Sequence, residues 1–245
     1  MTERRPHSGA LTWVGPDDPL PEPRHAWADP NGLLAAGTDL SPARLLEAYS
    51  RGIFPWYTEG QPVLWWSPDP RMVLRLDAFR LHRSLARTIR KHCAAGGWEL
   101  SLDRDFAAVM RACAEPRGHE QGTWITPQIL AAYQGLHRLG HAHSVEVRAQ
   151  GRLIGGLYGV SIGRMFYGES MFARVSDASK VAIAALVGTL REQGFRVIDC
   201  QQNTRHLASL GAREVGRAEF LDELSALIRQ PGPDWQALSI EFPDA

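Results

Sequence analysis

The sequence has little of several features that would assign it to a specialised class of protein. Its 245 residues include only three cysteines, an odd number and widely spaced, so neither a disulfide framework nor a zinc site is expected. No apolar run approaches the ~20 residues of a membrane helix, and the first residues lack the apolar stretch of a signal peptide. Basic and acidic residues balance at 27 each, which excludes a wholly basic, histone-like protein. A reduced, cytoplasmic protein is therefore expected.

The distribution of proline and glycine divides the chain into two predicted domains. Residues 1–30 are rich in proline and are predicted to form an irregular lead-in. Residues 53–70 carry four prolines and three tryptophans, which favours short strands and loops over helix. With the boundary near residue 75, we predict a small N-terminal α/β domain over residues 1–75. The larger domain covers residues 76–245 and includes a C-terminal tail.

Two pairs of a hydroxyl residue and a proline mark predicted helix starts. Ser41-Pro42 combines a good N-cap with proline in the first turn, and the helix that follows is expected to end at Gly52. Thr126-Pro127 makes the same signal before a helix that is expected to end at Gly140.

The second domain shows strand periodicity followed by helical periodicity. Its order of elements is that of the acyl-CoA N-acyltransferases, so the predicted fold class is α+β with an N-acyltransferase-like, mostly antiparallel mixed sheet. The predicted elements are strands over Ser144–Arg148, Arg152–Val160 and Met165–Phe172, a helix from Ser176 or Asp177 to about Gln193, a strand over Phe195–Gln201 and a short helix over His206–Gly211.

The segment before the long helix does not suit coenzyme A. Enzymes that use this cofactor hold its pyrophosphate on a glycine-rich turn at the helix start, whereas residues 172–178 contain no glycine and Asp177 would repel a phosphate. Coenzyme A is therefore not expected, and no other cofactor is indicated. His141 and His143 lack a third ligand nearby in the sequence, so no metal site is expected either.

Several sequence blocks together resemble the bacterial leucyl/phenylalanyl-tRNA–protein transferase family. They are Asn31–Ala35, Arg51–Trp56, Trp65–Arg71, Gly122–Thr126, His141–Glu146, Gly168–Phe172, Ala178–Lys180, Ile198–Gln201 and Ser209–Ala212, and the resemblance runs from about residue 30 to about residue 225. It implies transfer of leucine or phenylalanine, and less well methionine, from aminoacyl-tRNA to the N-terminal α-amino group of an acceptor protein. It further implies acceptors that begin with arginine or lysine, which the added residue marks for degradation.

An acid and an amide are the candidate catalytic residues. Asp199 and Gln201 lie two residues apart on a predicted strand, so both side chains are expected on one face. The resemblance implies that this pair activates or orients the attacking amine, and whether Asp199 is a general base or an electrostatic orienter is left open. A buried structural aspartate is the alternative. Cys200, between them, is expected to face away as a small core residue.

The resemblance also implies which residues bind the aminoacylated end of the tRNA. Trp56 and Trp124 are expected to stack on the terminal adenine, with Tyr49 and Tyr133 in support, because base–aromatic stacking tolerates any sequence. Core packing is the alternative role for each aromatic residue. Glu169 is expected to orient the α-amino group of the esterified amino acid. The implied pocket for the transferred side chain comprises Leu157, Glu169, Ile183, Leu186 and Ile198.

Residues 80–92 form a predicted helix with a basic face. Between residues 71 and 92 there are seven basic residues and one acid, Asp77, although the whole chain is neutral. We expect this face to contact phosphates of the tRNA acceptor stem, with a solvated outer surface as the alternative. The candidate contacts are Arg83, Arg87, Arg90 and Lys91.

Two other functions remain as alternatives. An acyl-CoA N-acetyltransferase has the same predicted order of elements, but the missing glycine turn argues against it. A non-catalytic protein that binds tRNA ends or basic N-termini is also possible, and the acid–amide pair argues for chemistry instead.

Overall fold

The structure, a computed structural model, describes residues 10–94, 96–116, 123–240 and 242. Within these residues the chain forms eleven strands and seven α-helices around two sheets. The strands are β1 (Thr12–Val14), β2 (Leu33–Gly37), β3 (Phe54–Pro55), β4 (Val63–Trp66), β5 (Arg71–Arg75), β6 (Glu99–Leu102), β7 (Ala142–Ala149), β8 (Arg152–Ile162), β9 (Met165–Ala173), β10 (Val197–Gln201) and β11 (Arg213–Val215). The helices are α1 (Pro42–Ser50), α2 (Arg83–Ile89), α3 (Phe106–Ala114), α4 (Pro127–Arg138), α5 (Ala178–Glu192), α6 (Arg205–Ser209) and α7 (Arg217–Leu227).

The smaller sheet has four strands in the order β1–β2–β4–β3. Its strands β3 and β4 confirm that the proline-rich segment 53–70 forms short strands and loops. The lead-in was predicted to be irregular, but it contributes β1, which pairs parallel with β2. The helix start at Ser41 is confirmed, because its Oγ accepts a hydrogen bond from the Arg44 amide at 3.3 Å. The first nine residues of the lead-in lie outside the described residues.

The larger sheet has seven strands in the order β11–β5–β10–β9–β8–β7–β6. Every neighbouring pair is antiparallel except β9 and β10, so the predicted α+β class with a mostly antiparallel mixed sheet is confirmed. The three predicted meander strands correspond to β7, β8 and β9. α5 then connects β9 to the parallel strand β10, as a helical crossover must.

The change from one sheet to the other falls between Trp66 and Arg71, since β5 already belongs to the larger sheet. A division of the chain near residue 75 remains a proposal. The predicted tail includes residues 241 and 243–245, which lie outside the described residues.

α5 sits close against the meander because its first turn meets a glycine. A Cβ atom at Gly155 on β8 would lie only 2.5 Å from the Cβ of Ala178, so a larger residue would push the start of the helix away. Asp177 occupies the N-cap position, but its side chain does not cap the helix. Its carboxylate instead accepts a hydrogen bond from Lys180 Nζ at 2.8 Å. The packed surfaces of α5 and β8 also form one side of the candidate site.

Candidate active site

A cavity of about 1480 Å³ opens where β9 and β10 stop pairing. In the described residues their parallel ladder comprises two pairs, Ile198 with Phe166 and Asp199 with Tyr167, and the next residues of both strands line the cavity. The volume exceeds the ~300–1,000 Å³ of an ordinary small-ligand pocket, so two reactants can meet there. Eight of the predicted site residues line it: Trp56, Trp124, Leu157, Glu169, Ile183, Leu186, Ile198 and Gln201.

One side of the cavity is an apolar pocket. Leu157 on β8, Ile183 and Leu186 on α5 and Ile198 on β10 are all buried and all line it. Cys200 was expected to be a small core residue; it is half-buried, packs against the buried core and also lines the cavity. Burial, with a smaller contribution from the neighbouring Asp199, raises the pKa of the Cys200 thiol and keeps it neutral.

Glu169 lines the cavity at a β-bulge in β9. The register of β9 against β8 shifts at this point, with Ser170 opposite Tyr158 and Gly168 opposite Gly159, so Glu169 is the additional residue of β9. Its Oε1 accepts hydrogen bonds from Tyr49 Oη at 2.7 Å and from Gln201 Nε2 at 2.8 Å. The sequence assigned Glu169 to the pocket, whereas its position links the pocket to the polar part of the cavity.

The second oxygen of this carboxyl meets another tyrosine. Tyr133 Oη lies 3.2 Å from Glu169 Oε2, and the Tyr49 and Tyr133 hydroxyls also contact each other. Burial, with a smaller contribution from the charge of Asp199, raises the pKa of Glu169 to about 7, although the hydrogen bonds from Tyr49 and Tyr133 oppose the shift. Burial also raises the pKa of both tyrosines, so they keep their protons. Glu169 therefore changes charge near neutral pH.

The expectation that Asp199 and Gln201 share one face is wrong. β10 shifts register against β5 between these residues, and Gln201 adopts a positive φ of 61°. The bulge breaks the alternation of a regular pleat, so the Gln201 side chain enters the cavity while Asp199 is fully buried and absent from the cavity lining.

Asp199 is held by an arginine that the sequence did not single out. Arg71 Nε and Nη2 donate to its two oxygens at 2.8 and 2.6 Å, and Arg71 lies between the rings of Phe54 and Phe220 at 4.7 Å from each. Asp199 Oδ1 also accepts from the Gln201 amide at 2.8 Å. The carboxylate therefore positions the Gln201 backbone amide and does not itself line the cavity, and proton acceptance by Asp199 stays a prediction. The sequence signal that could have identified Arg71 is a charged residue at the first position of the strand Arg71–Arg75, whose interior is apolar.

The aromatic candidates fall into two groups. Trp56 is 40% exposed and lies on the cavity rim, and Trp124 is half-buried there, so both offer surface to a ligand. Tyr49 and Tyr133 are fully buried and outside the cavity lining. Both hydroxyls bind Glu169, and the expected contact of the two tyrosines with adenosine stays a prediction.

The basic helix is α2, which starts later than predicted and continues as one π-helical segment, Arg90–Ala94. All four predicted tRNA contacts are exposed. Within the part of the chain that the structure describes, none of them forms an ion pair. Two residues counted with this basic surface do not belong to it, since Arg71 is buried and Arg75 pairs with Glu223 at 2.7 Å.

α2 is near the cavity through the start of α5. Thr88 Oγ1 lies 3.4 Å from Asp177 Oδ2, and Ser179, two residues further on, lines the cavity. The cavity also contains residues that were not predicted, among them His206, whose pKa is lowered by burial and by the nearby Lys180. Among the described residues, no group of three or more potential ligands could hold a metal ion. None of the described helices is long and apolar enough to cross a bilayer.

A parted pair of parallel strands joined by a crossover helix, beside this cavity, is consistent with the predicted N-acyltransferase-like fold. Two family models match the chain. One is described as leucyl/phenylalanyl-tRNA protein transferase and covers residues 73–225, and the other is the N-terminal domain of the same family, over residues 38–69. The chain therefore belongs to the leucyl/phenylalanyl-tRNA–protein transferase family, whose members are aminoacyltransferases.

Similar curated proteins carry the same description. A leucyl/phenylalanyl-tRNA–protein transferase of Paraburkholderia xenovorans (strain LB400) is 56% identical over 92% of this chain and 94% of its own length. One of Burkholderia orbicola (strain MC0-3) is 56% identical over 92% of this chain and 91% of its own.

The similar solved structures are more distant. FemX matches with a TM-score of 0.45 at 11% identity over 71% of this chain and 66% of its own. A GCN5-related N-acetyltransferase from Kribbella flavida matches with a TM-score of 0.38 at 10% identity over 71% of this chain and 61% of its own. The chain thus spans less than two thirds of the length of either.

Proposed function

We propose that the protein transfers leucine or phenylalanine, and less well methionine, from aminoacyl-tRNA to the N-terminal α-amino group of acceptor proteins that begin with arginine or lysine. The new peptide bond gives these proteins an N-terminus that marks them for degradation in the cytoplasm. The observation that carries the proposal is the meeting of the apolar pocket, the Glu169–Gln201 pair and the exposed Trp56 in one cavity, in a chain of this family.

In this proposal the aminoacylated 3′ end of the tRNA binds along the cavity. The terminal adenine stacks on Trp56 and Trp124, where base–aromatic contact contributes ~1–3 kcal/mol per base. The transferred side chain enters the pocket of Leu157, Ile183, Leu186 and Ile198. The ester carbonyl is then expected beside Gln201 and Glu169, which line the same cavity.

The reaction needs alignment more than activation of the donor. The ester is already reactive, and holding the amine against it can supply ~7–11 kcal/mol of the barrier reduction. Gln201 is the catalytic amide in this proposal because it reaches the cavity. Asp199 is a positioning residue: with Arg71 it fixes the backbone amide of Gln201 at 2.8 Å and thereby directs that side chain to Glu169.

The apolar pocket accounts for the range of amino acids. Hydrophobic pockets discriminate by only ~1–3 kcal/mol per methylene, so leucine and phenylalanine are accepted and methionine follows at lower rate. Charged side chains are rejected because the pocket offers them no partner.

The exposed basic face of α2 suits the acceptor stem of the tRNA. Arg83, Arg87, Arg90 and Lys91 are free to contact phosphates, and Thr88 beside them reaches the start of α5. Phosphate contacts carry no sequence information, so one surface serves tRNAs for different amino acids.

Coenzyme A is not part of the proposal. At the start of α5, where a pyrophosphate would bind, the Asp177 carboxylate is held by Lys180 at 2.8 Å and adds negative charge. The acyl donor is therefore the tRNA ester alone.

The test offers purified protein four donors, Leu-tRNA, Phe-tRNA, Met-tRNA and acetyl-CoA, with peptides that begin with arginine, lysine or alanine. Mass spectrometry of the peptides should show one added leucine or phenylalanine on the arginine and lysine peptides, less methionine, and no acetyl group. Acetylation, or addition without regard to the first residue of the peptide, would contradict the proposal.

A further inference from the structure

The contacts around Glu169 require more protons than the tyrosines can supply. Three oxygen–oxygen contacts form a closed ring: Tyr49 Oη to Glu169 Oε1 at 2.7 Å, Tyr133 Oη to Glu169 Oε2 at 3.2 Å, and Tyr49 Oη to Tyr133 Oη. Each contact needs one hydrogen, and each hydroxyl has only one to give. Two tyrosines therefore satisfy two contacts, and a third hydrogen, when the ring holds one, resides on the carboxyl.

The ring is thus suited to accept and hold one proton. With Glu169 protonated, its Oε2 donates to Tyr133, Tyr133 donates to Tyr49, and Tyr49 donates back to Oε1. With Glu169 ionised, both tyrosines donate to the carboxylate and the contact between the hydroxyls is left without a hydrogen. Either state keeps the carboxyl hydrogen-bonded, and Gln201 Nε2 donates to Oε1 at 2.8 Å in both.

No comparable role is open to Asp199. Both of its oxygens are engaged by Arg71, its side chain is fully buried, and it does not line the cavity. Glu169 is half-buried and lines the cavity, directly beside the Gln201 side chain.

We propose that Glu169, closed into a ring with Tyr49 and Tyr133, is the group that accepts the proton of the attacking amine and returns it to the leaving ribose oxygen. This inference rests on the proposed function and deepens it. It assigns to Glu169 the step that the sequence pattern suggested for Asp199, and it gives the two buried tyrosines a part in the chemistry.

The step balances as follows. The amine nitrogen bonds to the ester carbon, and the carbonyl electron pair moves to oxygen, which leaves a positively charged nitrogen. That nitrogen gives one proton to the Glu169 carboxylate. The carbonyl reforms as the bond between the ester carbon and the ribose oxygen breaks, and the proton passes from Glu169 to that oxygen. The products are an amide and a free ribose hydroxyl, with Glu169 ionised again.

The charged and titratable groups that face Glu169 determine the direction in which the pH–rate profile should shift when one of them is removed. Tyr49 on α1 and Tyr133 on α4 stabilise its ionised form, as does Arg71 on β5, whereas Asp199 on β10 opposes ionisation. Loss of one tyrosine hydroxyl should therefore move the rise of the transfer rate to higher pH. A hydrogen bond to a charged group corresponds to a displacement of about one pH unit.

The closing experiment measures single-turnover transfer from two minimal donors, phenylalanyl-adenosine and phenyllactyl-adenosine, to a peptide that begins with arginine. The second donor carries a hydroxyl in place of the α-amino group. Glu169→Gln should lower the rate at least ~10²-fold with both donors. Glu192→Gln, which removes an exposed carboxylate at the far end of α5, should leave both rates unchanged.

The two donors separate proton acceptance from the alternative role of Glu169. If Glu169 only orients the α-amino group of the donor, its replacement will slow transfer from phenylalanyl-adenosine and leave transfer from phenyllactyl-adenosine unaffected, which would overturn the assignment. Tyr133→Phe tests it without removing the carboxyl, and a pH–rate profile that coincides with that of the wild type would overturn it as well. Wild-type protein that transfers from neither these donors nor Leu-tRNA would refute the proposed function and this inference together.

Discussion

Arg71 and Asp199 form a two-point ion pair in the interior, with exposures of 1% and 0%, between residues 128 positions apart in the chain. Removing one partner of such a pair leaves a buried charge without compensation, at a cost of ~3–5 kcal/mol. We therefore predict that Arg71→Leu lowers the free energy of unfolding by about that amount, and that the double variant Arg71→Leu/Asp199→Leu recovers a large part of it. Urea denaturation of the wild type, of Arg71→Leu and of the double variant measures the three free energies of unfolding.

Arg104 and Glu99 provide the matched surface control, since their side chains are 53% and 61% exposed. Arg104→Leu should change the free energy of unfolding by ~1 kcal/mol or less. Additive effects of the two buried substitutions would show that Arg71 and Asp199 are not energetically coupled.

The titration of Glu169 should appear in stability as well as in rate. Its pKa is raised from 4.5 to about 7, so the folded state favours the protonated carboxyl. That stabilisation is complete below about pH 4.5 and is lost as the pH rises through about 7. Glu169→Gln should therefore become more stable relative to the wild type between pH 5 and pH 8, by ~1–3 kcal/mol after allowance for partial exposure.

Melting temperatures of both proteins across this pH range measure the effect, with Glu192→Gln as a control for the loss of an exposed carboxylate. A constant difference between Glu169→Gln and wild type from pH 5 to pH 8 would mean that the carboxyl does not titrate in this interval.

Much of the fold could be predicted because its signals are local. Ser41 and Thr126 each cap a helix through a contact three residues away, and the strands of the meander follow one another along the chain. β1 and β5 were not predicted, since each depends on a partner strand far along the sequence. A three-residue strand such as Thr12–Val14 has no periodicity of its own to reveal it.

Some features of the candidate site could likewise be predicted from the sequence, and others could not. The side chains of the apolar pocket and the two tryptophans could be assigned from sequence blocks, and they do line one cavity. The bulge at Gln201 could not, because a regular pleat is the default reading of a short apolar strand. The ring of Tyr49, Tyr133 and Glu169 joins α1, α4 and β9, so its contacts exist only after folding.

Stacking of the adenine should depend on Trp56 and Trp124. Replacing either residue with alanine should weaken binding of a non-hydrolysable phenylalanyl-adenosine analogue by ~1–3 kcal/mol, measured by isothermal titration. Trp13 is 60% exposed and lies on β1, outside the cavity lining, so Trp13→Ala should bind normally. Normal binding by both cavity variants, with a large fall in melting temperature, would instead make these residues part of the core.

The basic face of α2 should determine the salt dependence of tRNA binding. Each phosphate contact contributes a little under one unit to the slope of log affinity against log salt, so Arg87→Ala/Arg90→Ala should flatten the slope by a little under two units. The exposed Arg229, just beyond α7, supplies the control Arg229→Ala, which should keep the wild-type slope. Transfer from phenylalanyl-adenosine should be unchanged in the double variant, because this donor has no acceptor stem. A slope equal to that of the wild type would mean that this face of α2 is a solvated surface that does not contact the tRNA.

A crystal structure of the protein with the non-hydrolysable phenylalanyl-adenosine analogue tests the central claim most directly, which is that aminoacyl transfer takes place in this cavity. The account predicts the adenine against Trp56 and Trp124, the phenyl ring among Leu157, Ile183, Leu186 and Ile198, and the carbonyl carbon within reach of Gln201 and Glu169. An analogue bound elsewhere on the protein, or bound here with its phenyl ring outside the apolar pocket, would contradict it.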